Sequence, residues 1–309
     1  MNMRKLALVV LLSSLMVVSC ERKNAVLTKK VIGVSLLTRG HMFYRDLEEG
    51  LTTEAAKDNY ELIITAAEFD ISKQIGQLED FISRKVDAMI VCPVDSKGIG
   101  TAIRKANEAK IPVFTADIAA QEGDVVSHIA SDNVAGGRLA GEYLAKALNG
   151  KGNIAIINSP VVTSVLDRVQ GFRESISKFP GLKIVADVNG QGVRDKALQA
   201  TTDILQANPK LDAIFGINDD SALGALDAVR QFKRTNVIIV GYDAIPPAAE
   251  AIRKGTPLKA DVVQYPKKIG TMTVQKIQEF FAGKQVPKVV RVEVGIVDQE
   301  SLTKTVVHE

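Results

Sequence analysis

Several polar side chains in this 309-residue chain stand directly after short apolar runs rich in β-branched residues. Asp117, Asn218, Asp243 and Gln264 each occupy such a position. Carboxylates accept hydrogen bonds from hydroxyl groups, whereas Asn and Gln amides both donate and accept them. The loop Thr38–Tyr44 follows the first apolar run and adds aromatic rings, which offer flat apolar surfaces. This combination is suited to binding a small molecule that carries many hydroxyl groups.

Each of these residues also has a purely structural interpretation. Asp117 is compatible with a turn, Asn218 with the N-cap of the next helix, and Asp243 with a loop before two prolines. The sequence leaves these alternatives open for each residue taken alone.

Arg168 carries more information because of its place on a predicted helix. At roughly 100° per residue it lies about 40° from Phe172 and about 60° from Val165, at the edge of the apolar stripe. A guanidinium that points inward needs an anionic or hydroxylated partner. The alternative is a structural ion pair.

The elements that position these residues alternate short strands with amphipathic helices. This rhythm predicts right-handed βαβ crossovers and parallel sheets, with ligands beyond the carboxyl ends of the strands. It restarts after Ser131, which predicts two similarly built lobes. The predicted strands are Val31–Leu37, Glu61–Thr65, Ala88–Val91, Pro112–Thr115, Ile154–Asn158, Lys183–Asp187, Ala213–Ile217, Val237–Val240, Leu258–Val262 and the tail Val289–Val297.

Three helices are predicted with particular clarity. Asn133–Leu148 and Val165–Phe179 each carry one apolar stripe, and Pro266–Phe281 begins with a proline that suits a first helical turn. Gly136, Gly137 and Gly141 fall inside the first of these helices, so we expect close helix packing there and not phosphate binding.

The first twenty residues resemble a bacterial lipoprotein signal peptide. A basic pair, Arg4 and Lys5, precedes the apolar run Leu6–Val18, which is too short for a comfortable membrane span. Small residues then lead to Cys20, the predicted lipidation site, and residues 21–29 read as a polar tether. The alternative is an ordinary signal peptide with a chance cysteine.

Composition argues against several function classes. The 39 basic and 36 acidic residues form no basic patch, so we expect no nucleic-acid partner. The three histidines include no His-x-x-x-His pair, and Cys92 lies in an apolar run, so we expect neither a metal nor another cofactor. No nucleophile motif is present, and Gly98-Ile99-Gly100 lacks the third glycine of a dinucleotide site. We therefore expect a binding protein and not an enzyme.

Motifs spread along the chain resemble the ribose-binding proteins of bacterial ABC importers, which belong to the type I periplasmic sugar-binding family. They are Val125–Asn133 (VVSHIASDN), Asp167–Phe172 (DRVQGF), Asn218-Asp219 and Val240–Asp243 (VGYD). The resemblance runs from Val31 to Val297 in order.

This resemblance implies two Rossmann-like α/β lobes with parallel sheets, joined by three hinge strands near Ser131, Gln264 and Val292. It implies an N-terminal lobe of residues 30–131 plus 265–291 and a C-terminal lobe of residues 132–264 plus 292–309. The implied protein is a monomer, periplasmic or at the cell surface, and held by its lipid anchor. Its implied partners are a sugar and an ABC permease with its ATPase.

The resemblance also implies a set of ligand-binding residues. The first loop supplies His41, Phe43 and Tyr44, and His41 belongs to a stretch about two residues longer than in ribose binders, which carry an asparagine there. The implied polar contacts are Asp117, Arg168, Asn218, Asp243 and Gln264.

Two departures from the family pattern leave the sugar open between ribose and a related pentose or hexose. Ile118 stands where ribose binders carry a second arginine, and Gly192 or Val193 stands where an aromatic ring is expected. Two other roles also remain open. One is a sensor partner of a chemoreceptor or kinase. The other, more remote, is a LacI-type regulator, which would need a DNA-reading segment where the signal peptide lies.

Overall fold

The computed structural model describes residues 29–305, so the predicted signal peptide and Cys20 lie outside the described residues. Within this range, no helix is both long enough and apolar enough to cross a membrane. The strands are β1 (Val31–Leu36), β2 (Glu61–Ala66), β3 (Ala88–Val91), β4 (Val113–Ala116), β5 (Ser127–Ser131), β6 (Lys151–Asn158), β7 (Gly181–Asn189), β8 (Ala213–Gly216), β9 (Ile238–Asp243), β10 (Leu258–Val263), β11 (Val289–Val292) and β12 (Gly295–Asp298).

The strands form two six-stranded sheets with matching order. The first sheet runs β11-β5-β4-β3-β1-β2 and the second runs β12-β10-β9-β8-β6-β7. Neighbouring strands are parallel in every pair except β10 and β12, which are antiparallel. Central strands such as β3 and β8 are buried along their whole length, as expected where helices cover both faces of a parallel sheet. The predicted α/β fold with two similarly built lobes is confirmed.

Helices connect the strands of each lobe. They are α1 (Met42–Lys57), α2 (Ile71–Ser83), α3 (Gly100–Glu108), α4 (Asn133–Ala147), α5 (Thr163–Ile176), α6 (Arg194–Ala207), α7 (Asp219–Gln231), α8 (Pro246–Arg253), α9 (Pro266–Phe281) and α10 (Gln299–Thr305).

The chain passes between the two sheets at three places. These are Asp132 between β5 and α4, residues 264–265 between β10 and α9, and residues 293–294 between β11 and β12. Two of the crossings touch each other, because the Asp132 N–H donates to the Val292 carbonyl oxygen at 2.9 Å. That these crossings act as hinges stays a prediction.

Helices α4 and α5 pack with their backbones in direct contact. A Cβ atom at Gly137 would overlap the carbonyl oxygen of Arg168, and a Cβ atom at Gly171 would overlap that of Val134. The expected close-packing role of the α4 glycines is therefore confirmed. It places Arg168 on a helix that is fixed against the start of α4.

Two parts of the chain differ from the predicted strands. The segment Ser127–Ser131 was not among the predicted strands, because its five residues have mixed polarity, but it forms β5 by pairing with β4 and β11. The predicted strand Val289–Val297 is two strands that belong to different sheets. By contrast, Pro266–Phe281 forms a helix with the predicted bounds.

Candidate functional site

A cavity of about 420 Å³ lies between the two lobes, at the carboxyl ends of strands from both sheets. Its wall contains all the side chains that the sequence singled out for ligand binding. They are His41, Phe43, Tyr44, Asp117, Arg168, Asn218, Asp243 and Gln264.

The first lobe contributes Tyr44 and Asp117 as a hydrogen-bonded pair. The Tyr44 hydroxyl donates to Asp117 Oδ2 at 2.7 Å, and both side chains are buried. Burial raises the pKa of Asp117, although the nearby Arg168 charge and the Tyr44 bond act against this shift. Asp117 Oδ1 is buried and has no hydrogen-bond partner among the described residues. The Asp117 carboxylate therefore keeps acceptor capacity that the described chain does not use.

Phe43 stands beside this pair on the first turn of α1. Its ring meets the Tyr44 ring edge to face, with centroids 5.2 Å apart, and only 5% of the residue is exposed. The two rings supply apolar surface next to the Asp117 carboxylate.

The second lobe contributes Arg168 from the buried face of α5. Its Nε donates to Asn133 Oδ1 at 2.8 Å and its Nη1 donates to the Ile217 carbonyl oxygen at 2.8 Å. The guanidinium lies 4.0 Å from the centre of the Tyr242 ring. Its Nη1 is also 3.9 Å from Asp243 Oδ1. Arg168 therefore combines the structural ion pair left open by the sequence with a place in the cavity wall.

Asp243 and Gln264 form a second hydrogen-bonded pair in the wall. Gln264 Nε2 donates to Asp243 Oδ1 at 2.6 Å, while Gln264 Oε1 is buried without a partner among the described residues. Burial raises the pKa of Asp243 to about 7, against the opposing effect of the Arg168 charge. Because Gln264 also lies at a crossing between the sheets, this pair connects the cavity to the junction of the lobes.

Asn218 serves as the N-cap of α7 as well as lining the cavity. Its side-chain oxygen accepts from the Ser221 N–H at 2.9 Å, and its Nδ2 donates to the Gly192 carbonyl oxygen at 3.0 Å. The structural interpretation that the sequence left open is therefore correct for this residue, and it coexists with a place in the wall.

His41 joins the two lobes at one edge of the cavity. Its Nε2 lies 2.8 Å from Oδ2 of Asp220 on α7, and we call these two residues the lobe-bridging pair. Burial alone would lower the pKa of His41, but the bond to Asp220 and the charge of that carboxylate outweigh it, so the pKa is raised.

A second set of contacts joins the lobes at the opposite edge. The Thr163 N–H donates to Ser96 Oγ at 3.0 Å, and the Ala119 N–H donates to Thr163 Oγ1 at 3.0 Å. The Ser96 N–H donates to the Val161 carbonyl oxygen at 3.2 Å. With contacts on both sides of the cavity, the lobes stand in a closed arrangement.

The sequence reasoning missed part of the wall. Ser159 follows β6, and Gln191 follows β7, so both obey the strand-end rule that found the other residues. Phe69 and Val161 were missed because they are exposed apolar residues, 42% and 51% accessible, in loops without a polar signal. Ile118 lines the cavity directly beside Asp117.

Comparison with known proteins agrees with this geometry. Residues 32–285 match the family model described as a periplasmic binding protein domain. The chain is 33% identical over 287 residues to the ribose import binding protein RbsB of Salmonella typhimurium, covering 93% of this chain and 95% of that protein.

Two solved structures resemble the whole two-lobe arrangement. One is an ABC transporter periplasmic solute-binding protein from Actinobacillus succinogenes with bound D-allose, which is 30% identical at a TM-score of 0.81 and covers 89% of this chain and 100% of that one. The other is the fructose-binding periplasmic domain of a hybrid two-component system, which is 27% identical at a TM-score of 0.83 and covers 90% and 95%.

Proposed function

Because the chain belongs to the periplasmic binding protein domain family, we propose that it captures a neutral monosaccharide outside the cytoplasm and delivers it to an ABC importer. The relatives named above include a ribose import binding protein and a solute-binding protein with bound D-allose, and the polar wall of the cavity is of the kind that hydroxyl groups require.

One observation carries the proposal: side chains from separate parts of the fold, each with a buried and unpartnered acceptor, line the same cavity. Asp117 Oδ1 belongs to the first lobe and Gln264 Oε1 to a crossing between lobes. Unpaired buried acceptors are costly, so a ligand with several hydroxyl donors would stabilise them. The carboxylates of Asp117 and Asp243 stand against the single guanidinium of Arg168, which favours a neutral sugar over a sugar acid or phosphate.

The proposed action is binding with closure and without chemical turnover. A ligand that bonds residues of both lobes stabilises the closed arrangement by its differential contacts. We propose that the closed form is what the permease and its ATPase recognise. We also propose that Ser131, Gln264 and Val292 mark the hinge, with lobes of residues 30–131 plus 265–291 and 132–264 plus 292–309, and that the protein acts as a monomer without a cofactor.

The identity of the sugar depends on the wall residues that depart from the ribose-binding pattern. Ile118 stands in place of a charged donor, and Gly192 or Val193 stands in place of an aromatic ring. A site built for particular hydroxyls rejects analogues that leave its polar groups unpaired. We therefore propose ribose as one candidate among related pentoses, hexoses and polyols.

The test is isothermal titration of residues 29–309 after unfolding and refolding, which strips any carried ligand. The panel is ribose, other pentoses, glucose, galactose, allose, fructose, myo-inositol and xylitol. A dissociation constant of about 1 μM, equivalent to about 8 kcal/mol, for one panel member supports the proposal if Asp243→Ala abolishes it. Absence of heat with every panel member would refute the monosaccharide assignment.

A sensory role is a second candidate, favoured by the similarity to the fructose-binding domain of a hybrid two-component system. Transport by vesicles that contain the permease separates the two roles. If the closed protein stimulates uptake, the import role stands, whereas binding without uptake favours the sensor.

We further propose that the protein is anchored to the membrane, periplasmic or at the cell surface, by a lipid on Cys20. The support is the pattern of residues 1–20 and the polar tether of residues 21–29. Intact mass measurement of protein purified from membranes tests this. The proposal requires a mature chain that begins at Cys20 and carries the additional mass of acyl groups. This additional mass should be absent from Cys20→Ala.

A further inference from the structure

Two buried aspartates stand behind the cavity wall, and we call them the aspartate pair. Asp219 is the first residue of α7 and Asp261 lies in the middle of β10, and their exposed fractions are 1% and 0%. Neither residue has a cationic partner among the described ion pairs, which is unusual for buried acids.

One oxygen of each carboxylate holds the same stretch of backbone. Asp219 Oδ2 accepts from the Ile245 N–H at 2.7 Å, and Asp261 Oδ1 accepts from the Ala244 N–H at 3.2 Å. These two amides directly follow Asp243. We call residues Asp243–Ile245 the Asp243 turn.

The second oxygens of the pair come together at one point. Asp219 Oδ1 and Asp261 Oδ2 have no N–H or hydroxyl partner in the described chain, and both lie against Gly241. A Cβ atom built there would be 3.0 Å from the former and 2.6 Å from the latter. Two carboxyl oxygens held this close to one point can hydrogen-bond to each other only if one of the two groups carries a proton.

The Asp243 turn needs such support because its backbone is strained. Asp243 has a φ of 122° and Ala244 a φ of 56°, in regions that side-chain-bearing residues rarely adopt. Strained conformations of this kind persist only where the surroundings fix them. Two carboxylate acceptors on consecutive amides supply that constraint.

The surrounding charges favour retention of one proton by the pair. Burial raises the pKa of both Asp219 and Asp261. The Asp261 carboxylate raises the pKa of Asp219 further, whereas a hydrogen bond from Asp219 lowers that of Asp261, so the shared proton is held mainly by Asp219. The other charged groups that face the pair are Asp220 on α7 and Asp243 on β9, and both are acids.

We propose that Asp219 and Asp261 share one proton and act as positioning residues, fixing the Asp243 turn so that the Asp243 carboxylate points into the cavity. The part of this proposal that concerns ligand affinity rests on the proposed sugar-binding function. The part that concerns the turn does not, so the two can be tested separately.

The first experiment measures hydrogen exchange at the Ala244 and Ile245 amides of the purified protein without sugar. In Asp261→Ala we expect protection at these amides to fall by about tenfold or more at neutral pH. Asp261→Asn should restore it, because the amide oxygen can accept from Ala244 and the amide nitrogen can donate to Asp219. Val229→Ala, a buried change in α7 outside the turn, is the control for general destabilisation.

The pH dependence of amide protection distinguishes a shared proton from a role of Asp261 in packing alone. In the wild type, protection of the two amides should fall as pH rises and the shared proton leaves, whereas Asp261→Asn should show no such fall. This comparison remains decisive if Asp261→Ala does not fold. Full protection in Asp261→Ala, or the same pH profile in wild type and Asp261→Asn, would overturn the proposal.

The second experiment repeats the sugar titrations, starting with D-ribose and then using the panel sugar that binds wild type most tightly. Asp261→Ala should bind about tenfold more weakly at neutral pH, and Asp261→Asn within about threefold of wild type. Unchanged affinity in Asp261→Ala would refute the positioning of Asp243. If wild type binds no panel sugar, the proposed function fails, and the exchange measurement still decides whether the pair holds the turn.

Discussion

The lobe-bridging pair should make closure of the cavity dependent on pH. His41 belongs to the first lobe and Asp220 to the second, and their 2.8 Å contact exists only when the lobes meet. The pKa of His41 is raised in this arrangement, so the protonated ring favours closure. This contribution is fully present below the ordinary pKa of histidine and is lost as pH rises through the raised value.

The free energy that the lobe-bridging pair contributes to closure can be judged from the exposure of its two side chains. Exposed fractions of 16% for His41 and 30% for Asp220 place the pair between a buried and a surface ion pair. We take about 1 kcal/mol, discounted for this exposure from the range for charged hydrogen bonds. That value changes the ratio of closed to open protein about fivefold, and the dissociation constant of a ligand bound by the closed form by the same factor.

The test compares Asp220→Ala with wild type by sugar titration at about pH 6 and about pH 9. Asp220→Ala should bind about fivefold more weakly at the lower pH and nearly equally at the higher pH. Asp117 and Asp243 also face the His41 ring, but they are present in both proteins, so the ratio of affinities cancels their titration. The sugar affinity of Asp220→Asn should lie between those of wild type and Asp220→Ala, because the asparagine retains a hydrogen-bond acceptor without the charge.

Asp227→Ala is the matched control, since Asp227 lies on the same helix and pairs with Arg194 at 2.8 Å within one lobe. It should leave affinity unchanged at both pH values. Small-angle scattering of the sugar-free proteins adds an independent measure, with a larger radius of gyration expected for Asp220→Ala at low pH. An equal loss of affinity at both pH values, or no loss at either, would contradict a protonation-dependent link.

Three further perturbations follow from the site and its supports. Arg168→Met should weaken sugar binding by roughly 100-fold, because it leaves the buried Asp243 carboxylate without its counter-charge. A dissociation constant within about threefold of the wild-type value would contradict this prediction. Gly137→Ala should lower the free energy of unfolding by about 1–3 kcal/mol in denaturant melts, since the added Cβ atom would overlap the Arg168 backbone. Gly76→Ala is the control, because a Cβ atom there faces open space and should not lower the free energy of unfolding. The contribution of Asp243 to the stability of the sugar-free protein should fall as pH rises from about 4 to about 7, because its pKa is raised to about 7 and the native state keeps a proton that the unfolded chain releases. Compared with wild type, Asp243→Asn should therefore lose less stability over this range in thermal melts, and identical pH slopes would refute the assignment.

The strand-end residues were predictable because one geometric rule governs them. In a parallel sheet the carboxyl ends of the strands share an edge, so Asn218 and Asp243 lie close together at the edge of the second sheet whatever the loop details. Asp117 lies at the matching edge of the first sheet, which faces the same cavity. The inward orientation of Arg168 was predictable from helical spacing, and its place among the ligand-binding residues from the family resemblance. The fold class was predictable because alternating strands and helices form parallel sheets covered by helices.

The electrostatic pairs were not predictable, because they depend on contacts between distant segments. Asp220 is an ordinary helix-start acid in the sequence and meets His41 only when the lobes close. Asp261 interrupts an apolar strand without any local signal of its partner, which lies 42 residues earlier in the chain. The break of the tail into β11 and β12 is equally non-local, since it is set by which sheet edge each half meets.

The strand residues form the core, whereas the residues that follow each strand line the cavity, and this separation bears on how ligand specificity can change during evolution. In β4, Val113, Phe114 and Ala116 are fully buried in the sheet, whereas the next two residues, Asp117 and Ile118, form cavity wall. A substitution at position 118 therefore changes the surface offered to a ligand and leaves intact the backbone pairing of β4, which ends at Ala116. Descendants of one ancestral gene can exchange one nutrient for another through such end positions, while selection for folding acts on the interior of the strands.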